Sequence, residues 1–207
     1  MMADAASSFT LASGATVSVA NSGAAATLTF AVADGTAATM NGITFASNIM
    51  LAKTGGGKLT TVGSAWSSIV VSNGTLVVSA QSSTIGSVYL AKGAVLDLGG
   101  KTVTCGTFSG AGKVRNGTLI VTGTLSVAVG NSLTFTGVAL DVSGAGVAIT
   151  NPESITGRDP IVIATSDQPI TGRSRATVFG WSVQITQDGD VYRLELVPSR
   201  GLHLFVR

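Results

Sequence analysis

The feature that most constrains the fold of this chain is a long series of short segments in which apolar and polar residues alternate. Between residues 9 and 150 such segments recur, among them ATLTFAV, GTLVVS, KTVTC and GTLIV, and Gly, Asn-Gly or Ser separates them. A period of two bounded by turn residues indicates short β-strands. No stretch keeps the period of a helix over three turns, so the chain is expected to be all-β.

A repeated stretch indicates how these strands are arranged. NGTLVV at residues 73–78 returns as NGTLIV at residues 116–121, 43 positions later. Leucines in comparable segments are 17, 20, 23 and 21 residues apart: Leu59, Leu76, Leu96, Leu119 and Leu140. These spacings indicate a coil of about 20 residues, so that 43 positions are two coils.

A coil of this length is typical of a parallel β-solenoid, in which each strand pairs with its equivalent in the next coil, about 4.8 Å away. The predicted fold is a right-handed parallel β-helix (solenoid), with roughly nine or ten coils. An antiparallel β-sandwich or jelly roll is the alternative.

Leu76, Leu96 and Leu119 are expected to stack inside the coils. Cys105, which follows Val103 by two residues, is expected to be a small core residue rather than a reactive thiol.

Several of these segments resemble a known bacterial repeat. Residues 53–60 read KTGGGKLT, residues 94–100 read AVLDLGG, and Ser109, Gly110 and Gly112 belong to an SGAG element. Together with the NGTL strands, they are similar to the passenger-associated transport repeat, the autotransporter-associated β-strand repeat of large secreted bacterial proteins. The resemblance covers about residues 50 to 142. It implies a right-handed β-helix that is extracellular or at the cell surface, although the first residues of the chain do not have the pattern of a signal peptide.

The composition changes near residue 150. All four Pro, both Glu and the one His lie beyond it, and all five Lys lie before it. WSVQITQDGDVYRLELV is typical of a β-hairpin with Asp188-Gly189 as a two-residue type I′ turn. Because the ends of a solenoid expose strand edges that need a cap, residues 1–150 are interpreted as solenoid coils. Residues 151–207 are interpreted as terminal coils and a capping hairpin.

Charge and composition argue against several classes of partner and cofactor. The 12 basic residues are scattered singly, whereas a nucleic-acid surface needs a clustered basic patch. No apolar run approaches the ~20 residues of a membrane helix, so no membrane span is expected. The one Cys allows no disulfide framework, and His203 has no metal-ligand partners at the usual spacing. No metal, cofactor-binding or catalytic residue is therefore predicted, and no cofactor.

The carboxylates argue against an enzyme. β-Helix enzymes that act on polysaccharides need clustered acidic or basic side chains on one face. Between residues 35 and 140 the one carboxylate is Asp97. Asp141 follows about two coils later, so the two side chains are expected on one face nearly ~10 Å apart. The chain is predicted not to be an enzyme, with a polysaccharide-active enzyme or a glycan-binding adhesin as the alternative.

The predicted function is a non-catalytic, extracellular, structural or surface-display β-helix that self-assembles end to end into filaments. Residues 5–33 contain no charged residue and no Pro, although natural strand edges usually carry such residues, and head-to-tail contacts that do not close produce filaments. A homo-oligomer is therefore the expected partner, and a surface glycan is a candidate partner. Ice binding is a further alternative, through Thr and Ser in three short segments: Thr27 and Thr29, Thr102 and Thr104, Ser132 and Thr134.

Overall fold

The computed structural model describes residues 2–3, 26–40, 49–61, 65–79, 82–172, 175–176 and 178–199. Within these ranges the chain is nearly all β, and the one helical element is a three-residue 3-10 helix at Pro152–Ser154. The parallel stacked coils form a β-solenoid, which confirms the predicted fold. Within the described residues up to seven equivalent positions stack along one side, from Leu28 to Val147, which is fewer than the nine or ten coils expected from the sequence.

The strands are numbered in chain order. The first nine are β1 (Met2–Ala3), β2 (Ala26–Val32), β3 (Ala37–Met40), β4 (Ile49–Thr54), β5 (Lys58–Thr61), β6 (Ala65–Val71), β7 (Thr75–Val78), β8 (Ser82–Leu90) and β9 (Val95–Gly110). The remaining eight are β10 (Lys113–Val127), β11 (Leu133–Asp141), β12 (Gly146–Ile149), β13 (Ile161–Ser166), β14 (Ile170–Thr171), β15 (Arg175–Ala176), β16 (Trp181–Asp188) and β17 (Val191–Pro198).

Parallel pairing between strands that are not neighbours in sequence winds the chain into coils. On one side of the solenoid, here called face A, β2 pairs with β4, β4 with β6 and β6 with β8. On a second side, face B, β3 pairs with β5, β5 with β7 and β7 with the start of β9. Face C contains the start of β6 and β8 and the middle of β9 and β10. The long strands β9 and β10 run through all three faces.

Each face contributes a stacked row of inward apolar residues, and the rows are in register from coil to coil. The row on face A is Leu28, Leu51, Ile69, Val88, Phe108, Leu125 and Val147. The row on face B is Ala38, Leu59, Leu76, Leu96, Val114 and Phe135. The best-defined rows on face C are Trp66, Ile85, Cys105 and Val121, and Val103, Leu119, Leu140 and Ile170. These rows form one continuous core along the axis.

The leucine ladder expected from the sequence is correct in part. Leu76 and Leu96 are fully buried and stack on face B, as predicted. Leu119 is buried but lies on face C, where it pairs with Val103, and Val114 occupies the next position after Leu96. The 43-residue repeat is therefore not two coils. Coils of about 17 to 23 residues contain three similar strand segments each, so like sequences can fall on different faces.

One corner of the solenoid requires glycine because consecutive coils come very close there. Gly86, Gly106 and Gly123 lie at the corner between faces C and A, one in each of three successive coils. A Cβ atom on Gly106 would lie 2.7 Å from the carbonyl oxygen of Gly86, and one on Gly123 would lie 2.7 Å from that of Gly106. Since real Cβ atoms do not approach backbone this closely, we infer that side chains are excluded from this row.

The C-terminal hairpin covers one end of the solenoid. β13 continues face B in parallel with β11, and β17 then pairs antiparallel with the other edge of β13. β16 and β17 form the predicted hairpin, but Asp188 pairs with Val191, so the two-residue loop is Gly189-Asp190. The loop is not type I′, which needs positive φ at both central residues, because among the described non-glycine residues only Asn116 has positive φ.

The predicted N-terminal edge lies mostly outside the described residues. Residues 5–25 and 41–48 are not described, which includes Val17 and Val19 in the segment expected to pair with another subunit. Within the described part, β1 pairs in parallel with the end of β2, and β3 pairs with β5.

Candidate functional site

The most buried carboxylate of the coils is fully engaged by its neighbours. Asp97 is 8% exposed on face B, and its Oδ2 accepts a hydrogen bond from Nε of Arg115 in the next coil at 2.8 Å. Its Oδ1 accepts from the backbone N–H of Gly99 at 3.0 Å and from Nδ2 of Asn116 at 3.3 Å. This network joins two coils at the corner where β9 and β10 leave face B. The hydrogen bonds of Asp97 therefore link one coil to the next.

The two carboxylates expected to share a face lie on different faces. Asp97 pairs with Arg115 on face B, whereas Asp141 pairs with Ile120 and Thr171 on face C. Asp141 accepts hydrogen bonds from the backbone N–H and the hydroxyl of Ser143, and these bonds lower its pKa. The expected pairing was wrong because the position two coils beyond Asp97 is Thr136, and Asp141 lies past the next corner of the coil. Asp97 and Asp141 therefore do not form an acid–base pair.

A lysine occupies an inward position of face A. Lys53 is 0% exposed and stands in register between Phe30 and Val71. Its Nζ donates to the carbonyl oxygens of Thr54 at 2.7 Å, Gly55 at 2.6 Å and Asn73 at 3.2 Å. The first two belong to the turn that follows Lys53 and the third belongs to the turn of the next coil. The ammonium therefore holds two stacked turns together by occupying the space between their carbonyl groups.

The environment of Lys53 changes its acid–base behaviour. Burial removes water from the ammonium and lowers the pKa of Lys53 to about 8, while the charge of Asp34 opposes part of that shift. Asp34 also accepts a hydrogen bond from the backbone N–H of Gly56 at 2.7 Å. The sequence placed Lys53 in the repeat-like KTGGGKLT segment but gave no indication that it points inward, since Lys is rarely buried unless its charge is satisfied.

Cys105 is the core residue that the sequence predicts. It is fully buried between Ile85 and Val121, and this burial raises its pKa to about 12. Because the thiolate is the reactive form, we expect the folded protein at pH 8 to resist an aromatic disulfide reagent and to react at one thiol after denaturation. Rapid stoichiometric reaction in the folded state would contradict the buried position.

A groove of about 460 Å³ runs along the corner between faces A and B. Three residues of face A are in register along its length, of which Tyr89 is exposed, Ser109 is half-buried and Ser126 is buried. Tyr89 is 46% exposed, which makes it one of the few large apolar side chains at the surface of the described residues. The sequence does not predict this groove, because its residues become neighbours only when the coils stack.

Both ends of this corner groove are fixed by hydrogen-bonded turns. The turn at residues 91–94 carries exposed Lys92 and is closed by the N–H of Ala94 donating to the carbonyl of Ala91 at 3.0 Å. The turn at residues 128–131 carries Asn131 and is closed by a 3.0 Å bond from Asn131 to Ala128. The two turns that form the ends of the groove are therefore preorganised.

A second cleft, of about 660 Å³, lies at the C-terminal hairpin. Arg158, the fully exposed Phe179 and the half-buried Trp181 line it together with Pro152 and Pro198. Residues 177 and 200–207 adjoin its lining residues in sequence and are outside the described ranges. His203 is among them, so the structure does not place it.

The threonine pairs expected to form an ice-binding ladder lie on three different faces. Thr27 and Thr29 are exposed on face A, Thr102 and Thr104 lie on face C, and Thr134 is exposed on face B. They therefore form no common surface. Face C nevertheless has a short row of its own, in which Thr102 pairs with Thr118 and Thr104 pairs with Thr84.

Among the described residues, no group of three or more His, Cys, Asp or Glu side chains could hold a metal ion. None of the helices in that part of the chain has the length and apolar character needed to cross a bilayer.

Comparison with protein-family models, curated proteins and solved structures finds no match for this chain. The similarity to the passenger-associated transport repeat consequently depends on the residues of this sequence alone.

Proposed function

We propose that the protein is a non-catalytic structural β-helix that serves as a rigid display module outside the cell or at the cell surface. The observation that carries this proposal is the continuous core, in which stacked rows of apolar residues from three faces form one cluster along the axis. Such a core resists bending because each coil is bonded to both neighbours. The resemblance to the secreted bacterial repeat supports the location.

The use of the buried charged residues supports a structural role. Lys53 is bonded to the carbonyls of stacked turns, and Asp97 is bonded to Arg115 and Asn116. Both residues therefore join adjacent coils. A polysaccharide-active enzyme would need at least one exposed acidic pair at a suitable distance, and Asp97 and Asp141 do not form one.

We further propose that the rod associates end to end through its N-terminal end. The edge of β3 that faces away from β5 has no strand partner among the described residues, and its segment AATM is uncharged. An uncharged edge of this kind is a template for pairing with another chain. At the opposite end of face B, β17 already covers β13.

The test compares two lysine variants that differ by one coil. Thr39 on β3 and Thr60 on β5 are in register and half-buried on the outer side of face B. Thr39→Lys places a charge on the terminal edge, whereas Thr60→Lys places the same charge one coil inside. We expect light scattering and electron microscopy to show joined rods or filaments for the unmodified chain and for Thr60→Lys, and single rods for Thr39→Lys.

A single-rod particle for the unmodified chain at millimolar concentration would refute end-to-end association while leaving the structural role intact. The structural role has its own test, which is incubation with a panel of polysaccharides followed by assay for new reducing or unsaturated ends. Cleavage that is lost in both Asp97→Asn and Asp141→Asn would refute the non-catalytic proposal.

A further inference from the structure

The corner groove differs from the rest of the solenoid surface in having an exposed aromatic ring beside small polar residues. Tyr89 stands at one end, and the floor beyond it is formed by Ser109, Gly110 and Ser126. Serine and glycine leave the floor low, so the ring of Tyr89 forms a wall. An aromatic side chain that presents both an apolar face and a polar hydroxyl is well suited to contact amphipathic ligands.

The polar groups of the corner groove are arranged at the spacing of the coils. The register from Tyr89 to Ser109, Ser126 and then Ala148 spans three coil steps, which is about 14 Å. The Ser109 hydroxyl donates to the carbonyl of Val88 at 3.3 Å and can still accept a hydrogen bond. Asn131 and the exposed Thr150 add further polar groups at the far end. A ligand with many hydroxyl groups and an extended shape fits this arrangement.

The charge of the corner groove selects among such ligands. Lys92 is exposed at its rim, and none of the lining residues carries a carboxylate. The lining is therefore positive at one point, beside the tyrosine ring. One lysine is too little for a nucleic-acid backbone, which needs several phosphate contacts, but it matches a carboxylate on a sugar ring.

A peptide strand is a poor occupant of the same groove. The strands beneath it, β8, β9, β10 and β12, already pair with each other in parallel. Peptides that add to a sheet need an unpaired edge, and the groove crosses the middle of the sheet instead. The groove presents side-chain hydroxyl groups and an aromatic face to a ligand, rather than backbone groups.

We propose that the corner groove binds a short acidic oligosaccharide, with one sugar ring against Tyr89 and a uronate carboxylate paired with Lys92. Ser109, Asn131 and Thr150 bond to the sugar hydroxyl groups farther along the axis. The walls are preorganised by the turns at residues 91–94 and 128–131, and the side chain of Asn151 fixes the second turn by accepting from the N–H of Val129 at 2.7 Å. The volume lies within the range of small-molecule sites. Binding here does not require end-to-end association.

Calorimetric titration with oligogalacturonate, and with a cello-oligosaccharide of equal length as the neutral comparison, tests the proposal. We expect the acidic chain to bind more tightly and its affinity to fall with added salt. Tyr89→Ala should weaken binding by about tenfold, whereas Tyr89→Phe keeps the ring and should retain most of the affinity. Lys92→Gln should weaken binding of the acidic chain and remove the preference for it.

Two control variants separate the groove from other surfaces. Phe179→Ala removes the fully exposed aromatic residue of the hairpin cleft, and Lys101→Gln removes a lysine outside the groove. Both should bind as the unmodified chain does. Loss of binding in Phe179→Ala with full binding in Tyr89→Ala would assign the ligand to the cleft and overturn the proposal. Absence of binding to either oligosaccharide at millimolar concentration would also overturn it.

Discussion

Leu96→Ala is expected to lower the free energy of unfolding by about 2–5 kcal/mol. The side chain of Leu96 is 0% exposed and stacks between Leu76 and Val114 on face B. Truncation leaves a cavity in a row that has no alternative partner, because the neighbouring positions are fixed by the coil register. Leu96→Asp is expected to be worse, since it buries a charge without a counter-charge. Chemical denaturation monitored by circular dichroism measures both changes.

Val95 provides the matched control on the same strand. It precedes Leu96 and points outward, so Val95→Ala removes methyl groups without opening the core. We expect a change of less than about 1 kcal/mol for this variant. Equal denaturation midpoints for Leu96→Ala and Val95→Ala would show that the strand register on face B is displaced by one residue.

Removal of the Lys53 ammonium is expected to change how stability depends on pH. The pKa of Lys53 is lowered from 10.5 to about 8 by burial, so between these values the unfolded chain binds a proton that the folded chain does not. The Lys53 contribution to stability therefore rises with pH across this window, by at most about 3 kcal/mol. Below pH 8 the residue is charged in both states and its contribution is constant.

The measurement is the difference between the stability profiles of the unmodified chain and Lys53→Met from pH 7 to pH 10.5. Cys105, whose pKa is raised to about 12, lowers stability as the pH rises above 9, but it does so in both proteins and cancels in the difference. Lys58→Met removes an exposed lysine five residues away and should keep the rise. A flat difference between the unmodified chain and Lys53→Met would show that the Lys53 ammonium is hydrated in the folded protein.

The sequence by itself determined the all-β class, the approximate length of the coil, the C-terminal hairpin and the burial of residues such as Leu96 and Cys105. Alternation is a local property: once a strand has one apolar side, that side must face the core, whatever the partner strands are. The hairpin was predictable for the same reason, because its two strands are adjacent in sequence and joined by a short turn.

Only the tertiary structure decided which residues share a face. Because the coils differ in length, a fixed sequence interval does not always return to the same face. The expected pairings of Asp97 with Asp141 and of Leu96 with Leu119 therefore did not occur. The inward direction of Lys53 also depends on tertiary structure. Its ammonium group is bonded to backbone carbonyls from the turns of two adjacent coils. The corner groove depends on stacking of Tyr89 over Ser109, which is a long-range register that no local pattern encodes.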